Sequence, residues 1–242
     1  KAEKLIELLQ LDFSRTPTLF QAQSLTAAEI DTRLAQDNTE TFLRANYSGT
    51  INITGDNVLL AGTGNRASAV ADLLSNTYEI VGDIVVTGSN ATLRDLTIRG
   101  QNVTTITFAA ACTNLTLENC IFIAPSVADS MWWVDVNQWF SGNVTIKNCK
   151  VTDYTGVILA DFSSGSAHDP NGALNEVRIT DSLFLNNQGC IAARAKYAST
   201  MSVVSVLRNK WITDTFHASF WDFFEASGAL NYVEILNNSF EG

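Results

Sequence analysis

The stretch NLTLENCIF, residues 114–122, places Asn119 between two short apolar alternations, and NVTIKNCKV, residues 143–151, repeats the arrangement around Asn148. On both sides of the asparagine the apolar residues recur with period two, which is the spacing of a β-strand. The apolar positions shift by one residue at the asparagine itself. A corner between two strands produces this shift when one residue adopts the left-handed conformation, which Asn and Asp tolerate well. Each stretch therefore predicts two strands joined by a tight corner.

The same pattern recurs along most of the chain. Its register has an Asn or Asp anchor, a large aliphatic residue two positions earlier, and Ile, Phe or Val three positions later. Successive anchors lie 24 to 33 residues apart, and such an irregular period is typical of a solenoid whose loops differ in length. A degenerate earlier copy contains Leu60 and Gly62. The six full copies are Leu93-Asp95-Ile98, Leu117-Asn119-Phe122, Ile146-Asn148-Val151, Ile179-Asp181-Phe184, Leu207-Asn209-Ile212 and Ile235-Asn237-Phe240.

A third apolar segment follows each corner by about ten residues, so each repeat predicts a coil of three strands. The predicted fold class is all-β, a parallel β-helix solenoid of about seven coils with a short helical N-terminal cap. In stacked coils the corner side chains lie about 4.8 Å apart, so each Asn amide can bond to the coils above and below it. The third segments are TTITF (104–108), WWVDV (132–136), GVILADF (156–162), GCIAARA (189–195) and SFWDFFEA (219–226).

This repeat resembles the right-handed parallel β-helix superfamily of pectate lyases, polygalacturonases and phage tailspikes, in which an asparagine ladder lines the tight corner between the second and third strands of each coil. The resemblance covers residues from about 50 to 242, and in character the chain is most similar to phage tailspike and fibre proteins. The resemblance concerns architecture, so the function has to be argued from particular residues.

Composition excludes two classes of partner. The chain has 242 residues, 46% of them hydrophobic, and a formal net charge of −10. An average surface of that charge repels a phosphate backbone, so nucleic acid is not an expected partner. No run of about 18 apolar residues is present, so membrane insertion is not expected either.

The N-terminal part of the chain carries helical patterns. Residues 3–10 and 26–36 are predicted helices, and Thr26 with Glu29 forms the sequence of a capping box. We therefore divide the chain into a helical cap or attachment segment, 1–44, and a parallel β-helix, 45–242. A helical segment suits the open end of a solenoid, which must be covered. The other end, just after a corner, is expected to be truncated, followed by a further domain, or buried against another subunit.

Four cysteines are too few for a disulfide scaffold in a chain of this length, and none forms a CxxC pair. Their neighbours are apolar, so Cys112, Cys120, Cys149 and Cys190 are predicted to be buried free thiols, with a disulfide bridge as the alternative. Cys120 and Cys149 both follow an anchor directly and should stack as inward neighbours.

Charged residues recur at one position of the third strand. Asp161, Arg194 and Asp222 are predicted to align in three consecutive coils, with Asp135 one coil earlier. One interpretation is an acid–base–acid ladder that supports strand stacking. The resemblance implies another, since carboxylates and an arginine near this sheet of pectate lyases bind calcium and substrate and abstract a proton. Arg194 and Lys196 are also similar to the Arg-x-Lys of polygalacturonases, although the Gly-His-Gly and paired adjacent aspartates of that family are absent.

Aromatic residues concentrate on the same strands. Neighbours such as Trp132 and Trp133 cannot both point into the core of one strand, so at least one of them should be exposed or lie against a partner. Aromatics beside carboxylates suit stacking on sugar rings and equally suit the interface of a side-by-side trimer. The candidate binding residues are Trp132, Trp133, Asp135, Trp139, Lys196, Phe220 and Phe224.

Two functions follow from these patterns. The first is a non-enzymatic structural or receptor- and glycan-binding module of a virion, similar to a phage tail or head fibre or tailspike, or of a cell-surface adhesin. Its partners would be copies of itself in a homotrimer, other virion or surface proteins, and surface glycans. The alternative is a polysaccharide lyase or glycoside hydrolase acting on an acidic polysaccharide with Asp161, Arg194 and Asp222 as catalytic residues. No cofactor or metal site is predicted, except that the lyase would use Ca²⁺ held by oxygen ligands.

Overall fold

The structure is a computed structural model of the chain. It describes residues 26–62, 78–102, 104–108, 112–125, 132–135, 140–154, 156–161, 174–187, 191–194, 203–212, 221–222 and 232–241.

One helix, α1 (Ala27–Leu34), precedes the strands in the described part of the chain. The predicted capping box is confirmed: the backbone N–H of Glu29 donates to Thr26 Oγ1, and the Glu29 carboxylate accepts from the backbone N–H of Thr26 at 2.7 Å. Ile30 and Leu34 on the inner side of the helix are fully buried. The helix therefore closes one end of the solenoid. The predicted helix over 3–10 lies outside the described residues.

The strands form three parallel sheets, and all of the pairings are parallel. Each coil contributes one strand to each sheet in turn, so neighbours within a sheet are three strands apart in sequence. Sheet 1 contains β1 (Glu40–Leu43), β4 (Leu59–Gly62), β7 (Ala91–Arg94), β10 (Cys112–Glu118), β13 (Phe140–Lys147), β16 (Leu174–Thr180), β19 (Val203–Leu207) and β22 (Tyr232–Leu236).

Sheets 2 and 3 complete each coil. Sheet 2 contains β2 (Tyr47–Ser48), β5 (Glu79–Val81), β8 (Thr97–Arg99), β11 (Ile121–Ile123), β14 (Lys150–Thr152), β17 (Leu183–Leu185), β20 (Lys210–Ile212) and β23 (Ser239–Glu241). Sheet 3 contains β3 (Ile51–Ile53), β6 (Ile84–Val86), β9 (Thr104–Phe108), β12 (Trp132–Asp135), β15 (Gly156–Asp161), β18 (Ile191–Arg194) and β21 (Trp221–Asp222).

This topology is an all-β parallel β-solenoid, as the repeat predicts. The five third-strand segments coincide with β9, β12, β15, β18 and β21. Strand β1 already pairs with β4, so the solenoid includes residues 40–43, which the sequence division placed in the helical segment.

The core consists of stacked columns of inward side chains. In sheet 1, Leu93, Leu117 and Ile146 follow one another in register and are fully buried. In sheet 2, the Phe184 and Trp211 rings stack with centroids 3.8 Å apart and planes 9° from parallel. Burying each such side chain contributes about 1.5–3 kcal/mol, so the columns are the main source of stability.

The corners between sheets 1 and 2 have the predicted conformation. The backbone φ of the corner residue lies between 52° and 56°, in the left-handed region, at Asp95, Asn119, Asn148, Asp181 and Asn237. The side chains form the expected ladder, since Asn119 Nδ2 lies 3.2 Å from Asp95 Oδ1 and Asn148 Nδ2 lies 2.7 Å from Asn119 Oδ1.

One predicted anchor is wrong. Arg208, with φ 55°, occupies the left-handed position, and Asn209 follows it as a buried residue. The inward side chains of this coil are Val206 and Trp211, and a tryptophan was outside the residue types that the pattern allowed at the third position. An arginine is unusual in the left-handed conformation. Here the Arg208 guanidinium stabilises the corner by donating two hydrogen bonds, of 2.6 and 2.7 Å, to the Asp181 carboxylate.

Asn209 satisfies buried backbone groups from this inward position. Its Oδ1 accepts from the Ser182 backbone N–H at 2.9 Å, and its Nδ2 donates to the Ile179 carbonyl at 2.9 Å. Asn238 repeats the arrangement one coil later by donating to the Val206 carbonyl at 2.7 Å. An inner amide ladder therefore lies beside the outer one.

Candidate functional site

A second asparagine ladder lies at the corner that leads into sheet 1. Asn38, Asn57, Asn90 and Asn114 all adopt the left-handed conformation. From Asn57 onward, each Nδ2 donates to Oδ1 of the asparagine in the preceding coil, at 3.0, 2.8 and 2.7 Å along the series. The sequence reasoning missed this ladder, although the repeated TGDN (54–57) and TGSN (87–90) carry its signal.

The residues before these asparagines fix the corner further. The Asp56 backbone N–H donates to Asp37 Oδ1 at 2.8 Å, and the Ser89 backbone N–H donates to Asp56 Oδ1 at 2.7 Å. Thr113 continues the series with a backbone N–H bond of 3.1 Å to Ser89 Oγ. The corner is therefore held by side chains as well as by the backbone, which makes its surface rigid.

A column of threonines runs beside this ladder on the outer face of sheet 1. Thr92, Thr116 and Thr145 are paired in register on adjacent strands. They alternate with fully buried residues and are half-buried, so their hydroxyls face outward. Among the described residues, none of the three hydroxyls has a hydrogen-bond partner. They are therefore available to a ligand at intervals of about 4.8 Å.

A charged column completes the face. Arg94, Glu118 and Lys147 are in register, and Lys147 Nζ lies 3.6 Å from Glu118 Oε1. The ladder at the corner between sheets 1 and 2, formed by Asp95, Asn119 and Asn148, follows immediately along each strand. We name the four columns together the polar grid; its members are Asn90, Asn114 and Asn143, then Thr92, Thr116 and Thr145, then Arg94, Glu118 and Lys147, then Asp95, Asn119 and Asn148.

The polar grid can form hydrogen bonds in a regular array. Asn90 and Asn114 each use one side-chain N–H and one carbonyl lone pair within the coils, which leaves one donor and one acceptor site on each for a ligand. The outer face of sheet 2 is mixed in the same coils: Ile123, Leu183 and Leu185 share its outward columns with Thr97, Arg99, Lys150 and Thr152. Sheet 1 thus presents the more regular polar face of the middle coils.

The predicted charged column of sheet 3 is only partly aligned. Asp161 pairs with Arg194, as expected. Asp222 instead pairs with Ala192, two residues away from Arg194, and Asp135 pairs with Leu159. The reason is that the connection before β21 (213–220) is longer than the connection before β18 (186–190), so a constant offset from the corner fails.

The predicted aromatic binding residues have different outcomes. Trp133 is fully buried, and its ring centroid lies 4.9 Å from that of Phe122, so it belongs to the core and not to a surface site. Trp132 is the residue next to it in strand β12. The candidates Trp139, Lys196, Phe220 and Phe224 lie outside the described residues.

The thiols are buried, as predicted for Cys112, Cys120 and Cys149, and all three are free. Burial raises the pKa of the Cys112 thiol to about 12 and raises that of Cys149 well above its ordinary value. Cys149 Sγ donates to the Lys147 carbonyl at 3.4 Å. Cys112 and Cys149 are therefore not nucleophiles at neutral pH. Cys190 lies outside the described residues.

Within the described ranges, no group of three or more His, Cys, Asp or Glu side chains is arranged to hold a metal ion. The same part of the chain contains no helix with the length and apolar character needed to cross a bilayer.

Comparison with protein-family models, with curated proteins and with solved structures gives no match to this chain. The parallel β-solenoid fold therefore rests on the strand topology of the chain itself. Its function has to be argued from the surface that the coils present.

Proposed function

We propose that this chain is a non-enzymatic binding module whose polar grid binds surface glycans. The proposal rests on one observation: the hydroxyls of Thr92, Thr116 and Thr145 repeat in register and have no partner among the described residues. An amide column flanks them on one side, and the charged column of Arg94, Glu118 and Lys147 flanks them on the other. A repeating polysaccharide offers hydroxyl groups that act as both donors and acceptors, which is the chemistry that threonines and asparagines satisfy.

Rigidity supports the same proposal. The ladder bonds of Asn57, Asn90 and Asn114 hold the neighbouring side chains in place before any ligand arrives. Binding to such a surface costs little side-chain entropy, so several modest hydrogen bonds can add up to useful affinity.

The test compares the chain with a triple variant, Thr92→Val, Thr116→Val and Thr145→Val, on a panel of surface polysaccharides followed by calorimetry. Valine keeps the branched shape that suits a strand and removes only the hydroxyl. We expect affinity to fall on the order of 10- to 100-fold while the unfolding midpoint is retained. Thr107→Val, on the half-buried outer side of sheet 3, is the matched control and should bind normally.

Two results would contradict the proposal. Undiminished binding by the triple variant would remove the polar grid from the site, and loss of binding in Thr107→Val alone would move the site to sheet 3. A chain that binds no polysaccharide in the panel would exclude glycan recognition as the function.

We further propose that the module belongs to a virion, as a tailspike-like or fibre-like part, or to a cell-surface adhesin. The regular outer face of sheet 1 supports a structural or receptor-binding role. Assembly with copies of itself as a homotrimer, or with other surface proteins, would use the outer face of sheet 2, where the apolar Ile123 and Leu185 lie in register on either side of Thr152. Mass in solution tests this arrangement, and a strictly monomeric chain would contradict self-assembly.

A second candidate function is a polysaccharide lyase or glycoside hydrolase. In the lyase case its carboxylates would be ligands of a Ca²⁺ ion. The pairing of Asp161 with Arg194 favours it, because it sets an acid and a base on adjacent strands. Arg194→Ala tests it. Turnover of an acidic polysaccharide that disappears in a folded variant would establish an enzyme, and no turnover in the unchanged chain would exclude one.

A further inference from the structure

A groove lies at the corner where sheet 2 leads into sheet 3, on a different face from the polar grid. Its volume is about 510 Å³, within the range of about 300–1,000 Å³ that is usual for small-molecule sites. Three consecutive coils contribute to it, because Val81 and Arg99 end neighbouring strands of sheet 2 and Ala124 follows the next strand. We call it the corner groove; its lining consists of Val81, residues 99–102, Ala124 and Pro125.

A buried carboxylate fixes the wall of the corner groove. Asp83 is 5% exposed and accepts hydrogen bonds from the backbone N–H groups of Gln101, at 2.9 Å, and Asn102, at 3.3 Å, and from Asn102 Nδ2. In the same turn, a Cβ atom on Gly100 would collide with Oγ1 of the buried Thr105. The turn is therefore packed closely against the core. The groove is formed before any ligand arrives, which lowers the entropic cost of binding.

The polar groups of the corner groove include both donors and acceptors. Arg99 Nε donates to Glu79 Oε1 at 2.8 Å, which orients the guanidinium. The two terminal nitrogens of Arg99 and the side-chain amide of Gln101 form no hydrogen bond within the part of the chain that the structure describes. The Asn102 amide donates to Asp83 and keeps its carbonyl oxygen as an acceptor. A ligand therefore meets donors from Arg99 and Gln101 and acceptors from Gln101 and Asn102.

Charge and apolar surface narrow the chemistry of the ligand. The Glu79 carboxylate balances the Arg99 charge, and the Asp83 carboxylate lies behind the wall, so the corner groove has no excess positive charge to attract an anion. Val81, Ala124 and Pro125 form its apolar part. The matching ligand is uncharged, carries several hydroxyl groups and has an apolar face. The pyranose ring of a neutral sugar has all three properties.

We infer that the corner groove binds a neutral sugar unit. The hydroxyl groups of the sugar bond to Arg99, Gln101 and Asn102, and its C–H face lies against Val81 and Pro125. This site shares no residue with the polar grid. The inference therefore goes beyond the proposed function, and either site can be correct without the other.

The experiment titrates the isotope-labelled chain with the methyl glycosides of glucose, galactose and mannose and follows its amide signals by NMR. We expect at least one of these sugars to shift the backbone signals of residues 99–102 and the side-chain amide signal of Gln101. Arg99→Met keeps the apolar stem and removes the donors, and Gln101→Ala removes the amide. Each variant should bind on the order of 10-fold more weakly. Both side chains are exposed, so both variants should keep the fold, which circular dichroism checks.

Two controls locate the site. Arg178→Met changes another exposed arginine that donates to a glutamate, since Arg178 lies 2.7 Å from Glu176 on sheet 1, and it should bind normally. The Thr92→Val, Thr116→Val and Thr145→Val triple variant should also bind these sugars normally, whatever its effect on polysaccharide binding.

The methyl glycoside of glucuronic acid serves as a charged probe and should bind more weakly than the neutral sugars. Four results would overturn the inference: no shift with any of the three neutral sugars, undiminished binding by Arg99→Met and Gln101→Ala, loss of binding in the threonine variant, or tighter binding of the charged probe.

Discussion

Asn148 donates a hydrogen bond of 2.7 Å from Nδ2 to Oδ1 of Asn119 in the preceding coil, and both residues hold the left-handed conformation. One residue type thus performs two tasks, because Asn tolerates that conformation and its amide spans the spacing between coils. The corner is a stabilising element as well as a turn.

Replacing Asn119 should separate these two tasks. Asn119→Ala loses the ladder bonds and leaves a side chain with no local compensation in the left-handed region, so we expect a loss of about 2–4 kcal/mol in the free energy of unfolding. Asn119→Gly loses only the bonds and should cost about 1–2 kcal/mol. Urea denaturation measures both. Asn143→Ala, an exposed position outside the left-handed set, should change stability by less than about 0.5 kcal/mol, and an equal effect at both sites would contradict the ladder.

The Arg208 pair should make stability depend on pH in a defined direction. The hydrogen bond from Arg208 lowers the pKa of the Asp181 carboxyl below its ordinary value. A folded-state pKa below the unfolded value, about 3.9, gives a stabilisation that is present above that pH and is lost as the pH falls through the folded value.

Arg208→Gln should therefore be less stable than the unchanged chain at pH 7, and the difference should shrink at about pH 3 and in high salt. Denaturation at the two pH values measures it. Asp181→Asn removes the titrating group and should abolish the pH dependence of the difference. A difference that grows on acidification would show that the sign of the linkage is wrong.

Trp133 should tolerate one particular change. Its Nε1 is buried and has no hydrogen-bond partner among the described residues, so the folded state leaves that donor unsatisfied. Trp133→Phe removes the donor and keeps an aromatic ring beside Phe122, so its cost should stay within about 1 kcal/mol. Trp133→Ala should cost about 3–5 kcal/mol. Thermal or urea unfolding measures both, and a phenylalanine variant as unstable as the alanine variant would mean that the indole nitrogen has a partner.

The three described thiols should resist modification in the folded chain. Since burial raises the pKa of Cys112 to about 12 and that of Cys149 as well, these two thiols form almost no thiolate at pH 8, and Cys120 is fully buried. In a Cys190→Ser background, an aromatic disulfide reagent should label Cys112, Cys120 and Cys149 only as fast as the chain unfolds. Labelling should become complete in denaturant. Rapid labelling of the native chain at this pH would contradict their burial.

The sequence alone determined the features that arise within a few neighbouring residues. Alternation around Asn119 and Asn148 is a local property, and so is the left-handed preference of Asn, so the strands and the corner between sheets 1 and 2 could be predicted. The capping box of Thr26 and Glu29 is local in the same sense. Cys120 and Cys149 were assigned inward correctly because they follow the anchor directly.

Only the tertiary structure decided which residues from different coils stand side by side. Leu207 and Val206 both fit an alternating strand, and packing of Trp211 on Phe184 selected the second register, which made Arg208 the corner residue. Loop lengths moved Asp222 beside Ala192, and stacking of the coils assembled the polar grid. The physical reason is that the register between neighbouring strands depends on all the contacts that a coil makes. The period of the apolar residues and the conformational preference of the corner residue, in contrast, depend only on a few neighbouring residues.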